Sequence, residues 1–167
     1  MSDGTESAAY VYANYFLCRK ITSNERLSLL KSASENFPLK LYTHKPSEEL
    51  SNAIFMGPVD YYDTMPLVFK HSLINLNITL KSIQTGIPLR CMDIMGSGGF
   101  LLTNFQSDLL DFFVPGEDFA FYESKTDFID KIRYYLSHEK ERTQGGRRRL
   151  LRRHRGERGP LLARGGG

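Results

Sequence analysis

A chain of 167 residues with 41% hydrophobic content suffices for one domain, burying roughly two thirds of its unfolded surface. The net charge of +3 hides an asymmetry: the last 25 residues carry eight arginines against one glutamate, which leaves residues 1–142 with 14 basic and 18 acidic side chains, a net of −4. A basic, nucleic-acid-binding body is thereby excluded. The two cysteines, Cys18 and Cys91, have no partner at metal-ligand spacing, which excludes a disulfide scaffold or a zinc module and points to a reducing, cytoplasmic compartment.

The opening "MSDGTESAAYVYANYFLC" is acidic before its apolar run, and the run is shorter than the ~20 residues that span a bilayer, so neither a signal peptide nor a membrane span is expected. Residues 1–21 read as a helical lead-in. Thr22 and Glu25 have the spacing of a capping box, which predicts a helix start there, with Leu27, Leu30 and Ala33 on one face. "FPLKLYT" and "AIFM" are short strands, and the "GPVDYY" turn follows the second. Asp63 is expected to cap the helix "TMPLVFKHS", whose Pro66 is tolerated only in a first turn. "LINLNIT" is a strand, "LRCMDIM" a helix started by Pro88, and "GFLLT" the next strand. A capped helix "QSDLLDFF" and a strand "EDFAFYE" come next. The body closes with a long helix opened by the Ser124 and Asp127 pair, its buried face formed by Phe128, Ile129, Ile132, Tyr135 and Leu136.

Strands alternating with helices across short turns predict right-handed βαβ units. The expected fold is α/β, a Rossmann-like parallel sheet with helices on both faces, over residues 22–142. A doubly wound sheet opens on its central strand, whereas this chain opens on a helix, so the first strand is expected to be missing. Residues 143–167, "TQGGRRRLLRRHRGERGPLLARGGG", use no lysine and hold half of the 14 glycines. Such a stretch cannot bury a core and is expected to be disordered. It reads as a nucleic-acid or membrane-surface arm, or more simply as translation in another frame.

The stretch "PLRCMDIMGSGGFLLT" holds the chemistry. Its glycines, Gly96, Gly98 and Gly99, close a helix and open a strand, the reverse of a dinucleotide fingerprint, so they read as a C-cap and tight turn. The other end of the helix is the better anion site. Gly86 and Ile87 precede its first turn, where free N–H groups attract negative charge. Arg90 is placed to make a bidentate phosphate contact, and Asp93, three residues on along the same face, to accept from ribose hydroxyls. An ordinary surface pair between Arg90 and Asp93 has the same spacing.

From about Tyr15 to Arg142 the chain resembles the donor-binding half of GT-B glycosyltransferases, in particular the spore-maturation, CgeB-like group. The resemblance is carried by "S.INLN", "G.PLR..D.MG.GGFLLT", "FVPGED" and the "YYL" helix. It implies that Asp93 holds the nucleotide ribose, that Gly57 and Val59 border the base pocket, and that Asn77 ends a strand facing the donor. Thr85 stands where the wider superfamily carries a second glutamate near the sugar, and it supplies no carboxylate. By the same resemblance the partners are a UDP- or GDP-sugar and an N-terminal acceptor half outside this chain, which would then be a fragment of a larger transferase. No cofactor, metal or catalytic residue is implied within the chain.

His44, His71, His138 and His154 lack partners at triad or ligand spacing and read as surface or capping groups. Asp60 reads as a turn residue. The alternative to a transferase domain is a non-catalytic α/β interaction module without a ligand.

Overall fold

The computed structural model describes residues 7–79 and 86–143. Residues 144–167, most of the arginine-rich tail, lie outside the described residues, as does Thr85. A helical run opens the described chain: α1 (Ala8–Tyr12), a π-helical turn (Ala13–Leu17) and α2 (Cys18–Asn36) follow without a break. Thr22 therefore lies inside α2 and does not open it. Its side chain is buried, and packing in the helix interior overrides the local capping signal.

The strands are short and all parallel. β1 (Lys40–Leu41) pairs with β2 (Ile54–Phe55). β3 (Asn75–Asn77), β4 (Leu101–Asn104) and β5 (Ala120–Tyr122) form a second sheet in that order, with Asn75 opposite Leu101 and Leu102 opposite Ala120. The expected continuous sheet is thus two sheets, β1-β2 and β3-β4-β5. Connecting helices are α3 (Met65–His71), α4 (Leu89–Gly96), α5 (Ser107–Leu110) and α6 (Lys125–Ser137).

Alternation along β4 divides the core into two layers. Leu102 joins Leu29 and Ala33 of α2 and Phe128, Ile132 and Tyr135 of α6 on one face. Leu101 joins Phe69 of α3, Cys91, Ile94 and Met95 of α4 and Leu109 of α5 on the other. Strands buried on both faces need apolar side chains at successive positions, and "FLLT" supplies them. The α/β architecture with helices on both faces is therefore as the sequence predicts.

Local signals place two of the helix ends. Ser124 Oγ accepts the Asp127 N–H at 3.1 Å, and Asp127 Oδ2 in return accepts the Glu123 N–H at 3.0 Å, which holds the start of α6 from both sides. α6 ends at Ser137, where His138 caps it and stacks on Tyr134 with ring centroids 3.9 Å apart; residues 139–143 are helical again. At the end of α4, Gly98 takes φ +81°, and the Gly99 N–H returns to the Ile94 carbonyl at 2.9 Å. A Cβ at Gly99 would lie 2.5 Å from the Phe69 carbonyl oxygen and 2.7 Å from Asn75 Nδ2. The glycines are a helix stop and a point of close backbone approach, as their position after the helix implies.

Candidate functional site

The parallel strands bring their carboxyl ends to one rim, where open α/β sheets bind ligands. Gly57 and Val59 follow β2, Asn77 ends β3, Gly86 and Ile87 lead into α4, and Asp108 starts α5 behind β4. α4 is started by Pro88 as its N-cap in extended conformation, one place earlier than the first helical position, and among the described residues no side-chain hydrogen bond caps its first turn. Its Cys91 N–H bonds the Pro88 carbonyl at 2.9 Å.

Two residues on one side of α4 face different neighbours. The Arg90 guanidinium lies over the Phe69 ring, 5.5 Å from its centroid, a cation–π contact with α3. Half-buried Asp93 accepts the Tyr61 hydroxyl on Oδ2 at 2.6 Å. That hydrogen bond, rather than burial, is the main cause that raises the Tyr61 pKa above its ordinary value. Arg90 and Asp93 are thus not a pair with each other. Arg90 and Asn77 line a cavity of about 540 Å³ between the two sheets, whereas Asp93 sits outside that cavity beside the β2–α3 loop.

Tyr61 is the residue that sequence reasoning missed, and the loop explains its place. Asp60 Oδ1 accepts the N–H groups of both Tyr62 and Asp63, at 2.8 and 2.7 Å, and the Asp60 carbonyl accepts the Met65 N–H at 2.8 Å. Asp60, not Asp63, therefore organises the entry to α3. Its side chain reaches two amides that point back into the turn, the second of them Asp63's own, while Asp63 is exposed. The signal was available in "VDYYD": an Asx residue directly before Tyr61, with two amides beyond it for its carboxylate to accept.

Gly86 has φ +91° and is exposed, as a close backbone approach requires. Its N–H is not open, however: it donates to Asp108 Oδ2. A carboxylate from α5 holds one of the donors expected to meet a phosphate, which is itself a sign that this amide attracts an anion.

Asn77 points inward. Its Nδ2 lies 2.8 Å from Thr79 Oγ1, 3.1 Å from Thr103 Oγ1 and 3.3 Å from Cys91 Sγ, tying β3 to β4 and to α4. Burial pushes the Cys91 thiol up to about 11, so it is held as a neutral thiol. Nearby, Asn104 Oδ1 accepts the Thr79 N–H at 2.8 Å, fixing the chain as it leaves β3. Asn104, Thr79 and Glu123 line a smaller cavity of about 300 Å³ at the strand ends, against the buried Tyr122 ring.

Gly86, Ile87 and Arg90 thus lie at the start of α4, Asp93 sits about one turn further on against a different neighbour, and the Asn77 amide turns into the core. Among the described residues no helix is long and apolar enough to cross a membrane. A family model described as glycosyl transferase-like matches residues 19–158, a span that runs from the second residue of α2 past the end of α6 and takes in every candidate residue above. No curated protein matches the chain.

Proposed function

Because this chain belongs to the glycosyl transferase-like family, we propose that it forms the nucleotide-sugar donor half of a GT-B enzyme of the CgeB-like kind, completed by an acceptor half outside the chain. We place it in the cytoplasm, in keeping with two free thiols, Cys18 and Cys91. The observation that carries the reading is the start of α4: uncapped first-turn amides, Arg90 and Asp93 on one short helix, at the carboxyl end of β3.

In such a transfer the bond between the anomeric carbon and the diphosphate oxygen breaks, and negative charge grows on the departing nucleoside diphosphate. Amides of the first turn of α4 and the Arg90 cation offset that charge once the diphosphate is seated. Asp93 accepts from the ribose hydroxyls through Oδ1, or through Oδ2 once Tyr61 has swung away. Gly57 and Val59 border the base, and Thr85 lies near the sugar. Asp108 must leave the Gly86 N–H before a phosphate takes it, since two anions cannot share one donor.

A second reading, an interaction module without ligand, draws on the same contacts. Asp108 on Gly86 and Tyr61 on Asp93 satisfy the site internally. Thermal-shift titration with UDP-, GDP- and ADP-sugars separates the two. A donor site gives stabilisation that grows with ligand, about 2.7 kcal/mol at 100 times Kd. A folded sample that no nucleotide sugar stabilises belongs to the module.

A further inference from the structure

The start of α4 leaves one feature of the rim unused. The cavity of about 300 Å³ at the ends of β3, β4 and β5 is lined by Glu25 of α2, Thr79, Asn104, Phe105, Tyr122 and Glu123, and by none of Gly86, Ile87, Arg90 and Asp93. Ile78, which also borders it, and Tyr122 belong to the α2–α6 layer of the core, whereas α4 packs in the other layer. The cavity therefore lies across the sheet from the proposed diphosphate seat.

The geometry points to a second binding site in this cavity, for a pyranose ring that carries no phosphate, held by its hydroxyls and one apolar face. Three observations support it.

The first is an orphaned oxygen. Tyr122 is only 4% exposed, and its hydroxyl has no hydrogen-bond partner among the described residues. A buried hydroxyl left unpaired costs free energy, whereas a ligand hydroxyl reaching it recovers the bond. The Tyr122 ring is fixed edge-on against Phe128, with centroids 4.8 Å apart. Glu25 and Arg26 are the charges that act on its phenol, so the hydroxyl end faces α2, the side from which Glu25 closes the cavity.

The second is the mixture of polar groups around it. Asn104 Oδ1 is taken by the Thr79 N–H at 2.8 Å, which leaves the Asn104 amide hydrogens to donate. Glu25 and Glu123 bring acceptors on two different elements, and the Tyr122 hydroxyl can act either way. Each sugar hydroxyl both donates and accepts, so one ring satisfies all of these at once. Two carboxylates repel a phosphate, and among the described residues no third acidic, histidine or cysteine side chain joins them as a cation ligand.

The third is an aromatic wall. Phe105 is half exposed at the cavity, and its ring is backed by Phe121 in a T-shaped contact at 5.2 Å. The C–H face of a pyranose carries slight positive charge and packs on the negative face of such a ring. The volume is at the small end of ligand sites, which suits one ring rather than a whole nucleotide sugar.

The test titrates the full, isotope-labelled chain with the methyl glycosides of glucose, galactose, mannose and N-acetylglucosamine and follows amide chemical shifts. The expected result is saturable movement of the Thr79, Phe105 and Glu123 amides with at least one glycoside, while Gly86 and Ile87 stay in place. Phe105→Ala and Glu123→Gln should each weaken that binding about tenfold. Tyr122→Phe should weaken it too, yet keep or raise the urea midpoint, because the hydroxyl has no partner in the fold to lose. A second arm compares UDP-glucose, UDP-galactose and GDP-mannose with UDP and GDP. Movement of the three amides by the sugar nucleotides alone, and not by UDP or GDP, places the ring on a donor whose glycosyl group crosses the rim; movement by methyl glycosides places it on a saccharide free of nucleotide. No movement with any of these sugars overturns the proposal, as do unchanged affinities in all three variants, equal movement with UDP alone, or a loss of stability in Tyr122→Phe. The glycoside arm needs no nucleotide at α4, so this site and the proposed donor site fail separately.

Discussion

Tyr61 and Asp93 stand 32 positions apart in the chain, and the Tyr61 hydroxyl meets Asp93 Oδ2 at 2.6 Å. The contact joins the β2–α3 loop, bent by Asp60, to the middle of α4. It also occupies one oxygen of the carboxylate proposed to hold a ribose. The contact thus satisfies part of the proposed site internally, and the site's polar contacts can be separated by substitution.

Asp93→Asn is expected to weaken nucleotide-sugar binding by about tenfold or more, since hydrogen bonds to a charged acceptor contribute roughly 1.5–3 kcal/mol. Tyr61→Phe should leave binding intact or strengthen it, because the phenol competes for the same oxygen. Calorimetric titration of both variants checks this. In Asp93→Asn, spectrophotometric titration should also show the Tyr61 phenol falling back toward its ordinary value, since the Asp93 hydrogen bond is the main cause that holds it up.

Asp108→Ala releases the Gly86 N–H. If a diphosphate binds at the start of α4, the variant should bind UDP or GDP more tightly than the parent chain, as a competing carboxylate is gone. Unchanged or weaker affinity, measured at low salt, would remove Gly86 from the site.

Asn77→Leu should destabilise the fold by about 1–3 kcal/mol in urea unfolding, because the hydroxyls of Thr79 and Thr103 lose a buried donor. Pairing it with Thr103→Val in a double-mutant cycle should recover part of that loss, since the second change removes an orphaned hydroxyl.

Gly99→Ala should cost about 1–3 kcal/mol through overpacking. The added methyl meets the Phe69 carbonyl and the Asn75 amide, both held by their own bond at 2.9 Å, so neither can yield cheaply. Gly96→Ala, where a Cβ meets open space, is the control and should be far milder.

Stability should fall at alkaline pH. Burial raises Cys91 from 9.0 to about 11, and burial, then the charge of Glu25, raises Tyr122 above its ordinary 10.0. Both groups give up their protons more readily unfolded than folded, so the unfolded state binds fewer protons as pH rises. Their contribution is complete below about pH 9, is lost progressively through pH 11 for the thiol, and falls from about pH 10 upward for the phenol. Urea midpoints taken from pH 7 to 11 should follow that course, and Cys91→Ala should flatten its first part.

The sequence by itself determined most of what is decided within one turn of chain, the turn at Asp60, where Asp63 was expected to cap, being an exception. The alternation of strand and helix, the Ser124 and Asp127 pair, and the Gly98 and Gly99 stop depend on hydrogen bonds and backbone angles a few residues wide, and the pattern of residue types specifies them. A local signal failed where tertiary packing competed with it, as at Thr22, buried inside α2. Arg90 and Asp93 were legible as candidates, but their partners were not. Tyr61 reaches Asp93 over 32 positions, Asp108 reaches Gly86 over 22, and Asn77 reaches Thr103 over 26. Which distant side chains meet depends on strand order and on how the loops leave the sheet, and periodicity carries neither. The split into two sheets is of the same kind: each strand reads alike whether its edge is paired or open, so only the assembled fold decides which edges pair.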